Sequence, residues 1–183
     1  MRPAVFLDRD GVINDHRRYV NEPADFYLFP SAPGAIASLN AAGMFVGVVT
    51  NQGGIGLGYM TEDALGEIHK KMTTELEATG ARLDDIVYCP HAPKSGCRCR
   101  KPKPGMIELL VQRHDLDVLR SYMVGDRDVD MLAGRAAGCK TVFVGDGSLP
   151  ERVKPDVHVR DIAAAAEWIL RDAGRTSPSY CSE

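Results

Sequence analysis

The sequence predicts a three-layer α/β/α sandwich built around a parallel sheet. Three observations lead there. Compact apolar runs alternate with segments of helical period along most of the chain, and that alternation places helices on both faces of parallel strands. Two of the apolar runs, Ala4-Val5-Phe6-Leu7 and Tyr122-Met123-Val124, end in carboxylates, Asp8-Arg9-Asp10 and Gly125-Asp126-Arg127-Asp128. Two irregular stretches, 11–31 and 90–104, each follow a strand and are longer than ordinary connections, which marks loops with a function of their own.

The strands are expected at Ala4–Asp8, Phe45–Thr50, Ile86–Cys89, Ser121–Gly125 and Thr141–Val144. Helices are expected at Pro33–Ala42, Glu62–Ala78, Gly105–His114, Asp128–Ala137 and Asp161–Ala173. In the second helix Leu65, Ile68, Met72 and Leu76 recur at three- and four-residue steps, the signature of one buried face. Thr61 is its expected N-cap, with Glu62 and Asp63 favourable in the first turn. Trp168 is expected as a core or half-buried anchor on the last helix, and Cys139 as a small packed residue.

Composition narrows the function. The chain has 183 residues, 44% hydrophobic and 26% charged, enough for one soluble domain with a real core. That domain is expected over residues 1–174, followed by a flexible polar tail at 175–183 that includes Cys181. The formal charge of −3 gives no electrostatic case for nucleic acid. No apolar run approaches a membrane span, and the chain enters a strand without a signal-peptide pattern. A cytoplasmic monomer acting on a small molecule is expected.

If the first and fourth strands are neighbours, Asp8, Asp10 and Asp126 meet at one sheet edge, where open α/β folds bind ligands. Crowded carboxylates need a cation, and an all-oxygen set favours Mg²⁺. Of Asp8 and Asp10, one carboxylate can attack phosphorus while the other protonates the leaving alkoxide and later activates water. An Asp-rich turn would read the same way in isolation. Thr50-Asn51-Gln52-Gly53 ends the second strand with a hydroxyl, two amides and a glycine, groups that suit phosphoryl oxygens as well as an ordinary turn. Arg100 and Lys101 precede Pro102 and could supply the fixed positive charge that phosphoryl transfer needs.

Cys89, His91, Cys97 and Cys99 place three thiols and one imidazole within one loop. They match the Cys₃His set of structural zinc sites, in which protein fills all four positions. Such an ion stiffens the loop and pins Arg100 and Lys101 beside it. His16, Arg17, Arg18 and Tyr19 follow the first motif and are set to meet a substrate at the rim.

Together Asp8-x-Asp10-Gly11-Val12, Thr50, Lys101 and Gly125-Asp126 with Asp130 resemble the four ordered motifs of the haloacid dehalogenase superfamily. Asp8-Arg9-Asp10-Gly11-Val12-Ile13-Asn14, Thr50-Asn51-Gln52 and Cys89-x-His91…Cys97-x-Cys99-Arg100-Lys101-Pro102 are similar to its zinc-loop histidinol-phosphatase/heptose-bisphosphatase branch. The resemblance implies a capless, Rossmann-like fold with a zinc-binding loop. It implies a phosphatase that removes one phosphate from a sugar bisphosphate, a heptose 1,7-bisphosphate, through an aspartyl-phosphate. Histidinol phosphate as substrate, or a non-catalytic zinc-loop module, stays open at this point. Asp8 would be the nucleophile and Asp10 the acid/base. The Asp8 carboxylate, the Asp10 main-chain carbonyl and Asp126 would hold Mg²⁺, and Cys89, His91, Cys97 and Cys99 structural Zn²⁺. Thr50 and Lys101 would steady phosphoryl oxygens, with Asp130 orienting Lys101 or the metal shell. His16, Tyr19, Asn51, Gln52, Gly53, Arg100 and Arg127 would contact substrate.

Overall fold

Six parallel strands run through the centre of the molecule in the computed structural model, which describes residues 1–15 and 19–174. In chain order these are β1 (Ala4–Leu7), β2 (Phe45–Asn51), β3 (Asp85–Cys89), β4 (Tyr122–Gly125), β5 (Lys140–Val144) and β6 (Val157–Val159). The helices are α1 (Ala32–Ala41), α2 (Glu62–Glu77), α3 (Gly105–His114), α4 (Asp128–Ala137) and α5 (Ile162–Asp172). Short 3-10 turns occupy Pro23–Asp25 and Val118–Arg120.

The strands lie in the order β3-β2-β1-β4-β5-β6, every pair parallel. Strand order therefore reverses between β1 and β4, the position at which open α/β sheets bind ligands beyond the carboxyl ends of their strands. Alternation along β1 sends Val5 and Leu7 into one core and Ala4 and Phe6 into the other, as a strand covered on both faces requires. The first core receives Ile36 and Leu39 of α1, Leu65, Ile68, Met72 and Leu76 of α2, and Ile162 and Ile169 of α5. The second receives Met106, Ile107 and Leu110 of α3 and Ala133 of α4. This is the expected three-layer sandwich.

Local signals also hold. Thr61 Oγ1 accepts from Ala64 N at 3.1 Å and caps α2. Asp161 stands just outside α5 as its cap, Oδ1 accepting from Ala164 N at 2.9 Å, rather than as its first residue. Cys139 is buried, and Trp168 is half-buried with its ring edge-on to Tyr122. Strand β6 was not expected: three residues at a sheet edge carry too little apolar pattern to register. Among the described residues no helix is long and apolar enough to cross a membrane. The expected tail at 175–183, with His16, Arg17 and Arg18, lies outside the described residues.

Candidate active site

The sheet edge forms because β1 and β4 pair in register, and Asp8 N extends the ladder by donating to Val124 O at 2.9 Å. Asp8 thus leaves the strand with a fixed backbone. After it the chain wraps around one carbonyl: Arg9 O accepts from Ile13 N at 2.9 Å and Asn14 N at 3.2 Å. Gly11 sits at φ +87° in this turn, a conformation that disfavours a side chain. The turn returns Asn14 to Asp10.

Lys101 follows the Cys/His loop in the chain and is 3% exposed. Its Nζ lies 2.8 Å from Asp8 Oδ1 and 2.6 Å from Asp130 Oδ1, and donates to Val49 O at 2.8 Å. Asp130, fully buried in the first turn of α4, accepts from Arg127 N through Oδ2 at 3.0 Å. A Cβ on Gly125 would overlap the Asp130 side chain, so the glycine admits that carboxylate. Asp8, Asp126 and Asp130 each offer an oxygen within 4.8 Å of the others. The sequence had set Asp130 behind Lys101 or in the metal shell; it both pairs Lys101 and joins the carboxylate cluster.

Burial raises Asp8 to about 6, with Asp130 and Asp10 adding to the rise and Lys101 opposing it. Asp130 is raised by burial as well, against the pull of Lys101. Burial would lower Lys101, but Asp8 and Asp130 more than offset it and raise the ammonium. Three carboxylates about one ammonium leave a net negative pocket, which a divalent cation bound through oxygen would balance.

Asp10 behaves differently. Burial would raise it, yet Arg9, Asn14 and Gln52 together hold it below the usual carboxylate range. Asn14 Nδ2 donates to Oδ1 at 3.1 Å and Gln52 Nε2 to Oδ2 at 3.0 Å. The Arg9 guanidinium, 1% exposed, takes both oxygens. Sequence reasoning treated Arg9 as a spacer between two aspartates and missed it, because nothing in the neighbouring residues signals a buried guanidinium. His69 of α2 is buried nearby; burial and the Arg9 charge push it down to about 4, so it stays neutral.

Asp8, Asp10, Thr50, Asn51, Lys101, Asp126, Arg127, Val129 and Asp130 line a cavity of about 390 Å³. Gln52 Nε2 also donates to Thr50 Oγ1 at 2.8 Å, leaving the hydroxyl proton able to point into the cavity. Asn51 clamps the main chain of Lys101: its Oδ1 accepts from Lys101 N at 3.0 Å and its Nδ2 donates to Lys101 O at 3.1 Å. The carboxamides of Asn51 and Gln52 are thus engaged with the site's own groups. Arg127 reaches the cavity from the start of α4 with an exposed side chain. Arg100 lies across the Cys/His loop, Nη1 donating to His91 O at 3.2 Å, and a Cβ on Gly53 would come 2.9 Å from that same Nη1. Tyr19 is 90% exposed, and His16 is outside the described residues.

The second cluster is the Cys/His loop. Cys89 Sγ lies 3.7 Å from Cys97 Sγ and 3.5 Å from His91 Nδ1, and Cys99 Sγ lies 3.2 Å from His91 Nδ1. A zinc–sulfur bond of about 2.3 Å gives a tetrahedron with edges of roughly 3.8 Å, so the four atoms fit that ion. A hydrogen bond from the Ser95 side chain brings Cys97 down to about 6, whereas burial and the neighbouring thiols push Cys99 up to about 12. Lys103 Nζ ties the loop by donating to Gly96 O at 2.9 Å and Cys97 O at 2.5 Å. The loop also grips the end of β2, through Gln52 N to Cys89 O and Gly56 N to Pro90 O, each 2.8 Å.

Comparison with known proteins agrees with this geometry. The Hydrolase_like family model, described as HAD-hyrolase-like, matches residues 98–168. The D-glycero-beta-D-manno-heptose-1,7-bisphosphate 7-phosphatase of Rhodopseudomonas palustris is 43% identical over 144 residues, 75% of this chain and 80% of that protein. Its namesake from Pseudomonas aeruginosa is 41% identical over 179 residues, 93% of this chain and 99% of that one. The crystal structure of D,D-heptose 1,7-bisphosphate phosphatase from B. bronchiseptica, complexed with magnesium and phosphate, superposes with a TM-score of 0.83 at 38% identity, covering 94% of this chain and 99% of that chain. The chain belongs to the haloacid dehalogenase-like family of D-glycero-D-manno-heptose-1,7-bisphosphate 7-phosphatases.

Proposed function

We propose that this protein hydrolyses the 7-phosphate of D-glycero-D-manno-heptose 1,7-bisphosphate, in the synthesis of nucleotide-activated heptose. The observation that carries this is the Asp8 carboxylate, 2.8 Å from the buried Lys101 ammonium at the mouth of a carboxylate-lined cavity, in a chain whose relatives bear that name. An Asp8 oxygen attacks phosphorus in line with the bond to the C7 oxygen. The negative phosphate entering beside Asp10 favours its protonated form against the pull of Arg9, Asn14 and Gln52, and as the bond breaks that carboxyl gives its proton to the departing alkoxide. Asp10 then takes a proton from water, whose oxygen attacks the aspartyl-phosphate, releasing phosphate and restoring Asp8. Lys101 and the Thr50 hydroxyl meet charge on the phosphoryl oxygens, and Asp130 and Val49 O keep Lys101 aimed.

The carboxylates of Asp8 and Asp126, with the Asp10 main-chain carbonyl, would hold Mg²⁺, which when bound neutralises charge between carboxylate and phosphoryl oxygens. Cys89, His91, Cys97 and Cys99 would hold structural Zn²⁺. Arg100 and Arg127 suit the phosphate that is not cleaved, since guanidinium binds phosphate bidentately, and His16 and Tyr19 suit the sugar. The reading is completed by one capless domain over residues 1–174 acting as a cytoplasmic monomer. The test is phosphate release with Mg²⁺ from both anomers of heptose 1,7-bisphosphate and from histidinol phosphate. Preference for one heptose anomer is expected. Preference for histidinol phosphate would keep the chemistry and overturn the substrate.

A further inference from the structure

Arg9 is the largest fully buried side chain in the described residues, at 1% exposure, and its guanidinium faces away from water beside the reacting centre. A buried charge of this kind requires a partner, and among the described residues its anionic partner is Asp10. The contact is a fork. Arg9 Nε and Nη2 reach Asp10 Oδ1 at 3.1 and 2.9 Å, and Nη2 reaches Oδ2 at 2.9 Å. Asn14 and Gln52 approach the same two oxygens from the turn and from the end of β2, at 3.1 and 3.0 Å. Each of the three donors is anchored elsewhere. Arg9 sits at the centre of the turn that closes on its own carbonyl, Asn14 Nδ2 also donates to Asp15 O at 2.9 Å, and Gln52 N is bonded to Cys89 O.

We infer that Arg9, seconded by Asn14 and Gln52, is the positioning residue for the acid/base: it fixes the plane and direction of the Asp10 carboxyl against the leaving oxygen. This rests on the phosphatase reading above and deepens it. A fork holds a carboxylate in two dimensions where a single donor holds it in one. A lysine at position 9 keeps the charge but loses the fork. Proton delivery to the alkoxide then suffers, whereas the attack by Asp8 does not pass through Arg9.

Leaving-group dependence separates these roles. A sugar alkoxide needs the proton; 2,4-dinitrophenolate leaves without it. The experiment measures kcat/KM, which includes the bond-breaking step, for heptose 1,7-bisphosphate and 2,4-dinitrophenyl phosphate with Arg9→Lys and Arg9→Met. General acid catalysis contributes about 10²–10⁴ in rate. The expected result is a loss on the order of 10²-fold on the sugar ester with less than about threefold on the aryl ester. Asp10→Ala should show the same asymmetry, and adding Arg9→Lys to it should cost little more. Equal losses on both esters, or none, would overturn the inference and leave Arg9 a purely structural ion-pair partner. If thermal melting shows that neither Arg9 variant folds, Asn14→Ala removes one donor to the same oxygen without stranding a charge and is read by the same asymmetry. Failure of the unaltered protein to cleave either ester would overturn the phosphatase reading, and this inference with it.

Discussion

Two polar clusters meet at Cys99-Arg100-Lys101, and they are held by opposite means. Around Lys101 the charges are buried, and its partners are far apart in the chain, Asp8 at the end of β1 and Asp130 in the first turn of α4. Around Cys97 all four groups come from one short segment, Cys89 at the buried end of β3 and the others in the loop after it, whose Pro93–Gly96 tip is exposed and tied by Lys103. In the first case the fold holds the charges. In the second, Cys89, Cys97 and Cys99 pack against the core, while the exposed tip between them relies on the proposed zinc and on Lys103. The carboxylate cluster should therefore survive removal of metal, and the thiol cluster should not.

Asp8→Asn tests the first half most severely. It keeps the side-chain volume and removes the nucleophile, so turnover should fall by at least about 10⁴-fold while the melting temperature stays within a few degrees. Residual turnover near the unaltered rate would place the nucleophile elsewhere. Cys97→Ser tests the second half. Metal analysis should fall from one equivalent of zinc towards none, and activity by roughly 10–100-fold as Arg100 and Lys101 loosen. Normal zinc content with normal activity would remove the loop's proposed purpose. Lys103→Met sharpens the contrast further: it leaves all four ligands and cuts only the ammonium bonds to Gly96 and Cys97 carbonyls. Zinc affinity, read by competition with a chelator, should weaken about tenfold, with Mg²⁺ affinity unchanged.

The last effect concerns stability. His69 is pushed from 6.5 down to about 4 in the folded protein. Between those values the unfolded chain binds more protons, so this contribution is full above pH 6.5 and lost as pH falls towards 4. Its size is about 3 kcal/mol at most. His69→Met, measured by urea unfolding across that window, should flatten the acid side of the profile. An unchanged slope would mean that His69 is not held neutral.

The parts of this comparison were not equally legible. Five strands, five helices and both loops could be read from periodicity and from carboxylates at strand ends, because burial on two faces writes itself into local sequence. The Cys/His set was equally plain, its ligands lying on one short segment. What escaped notice was relational. Arg9 is buried against Asp10, whose remaining donors are Asn14 and Gln52, a relation spread over 44 positions of chain. Asn51 and Gln52 read from sequence as substrate contacts, and the bracing of Lys101 and Asp10 by their carboxamides is a further relation that the sequence does not signal. A carboxamide at a strand end looks the same whether it awaits a ligand or steadies a neighbour.

The strand order carries a last consequence. Since β1 lies between β2 and β4, Asp8 is made well before the groups that complete its cluster. Asp8 emerges early, gains its ammonium only after Lys101 is made, and gains the rest of its cluster only when Asp126 and Asp130 follow on β4 and α4. A nascent or clipped chain ending before that point holds a nucleophile without its machinery, so it has no means to cleave phosphate esters while still unfinished.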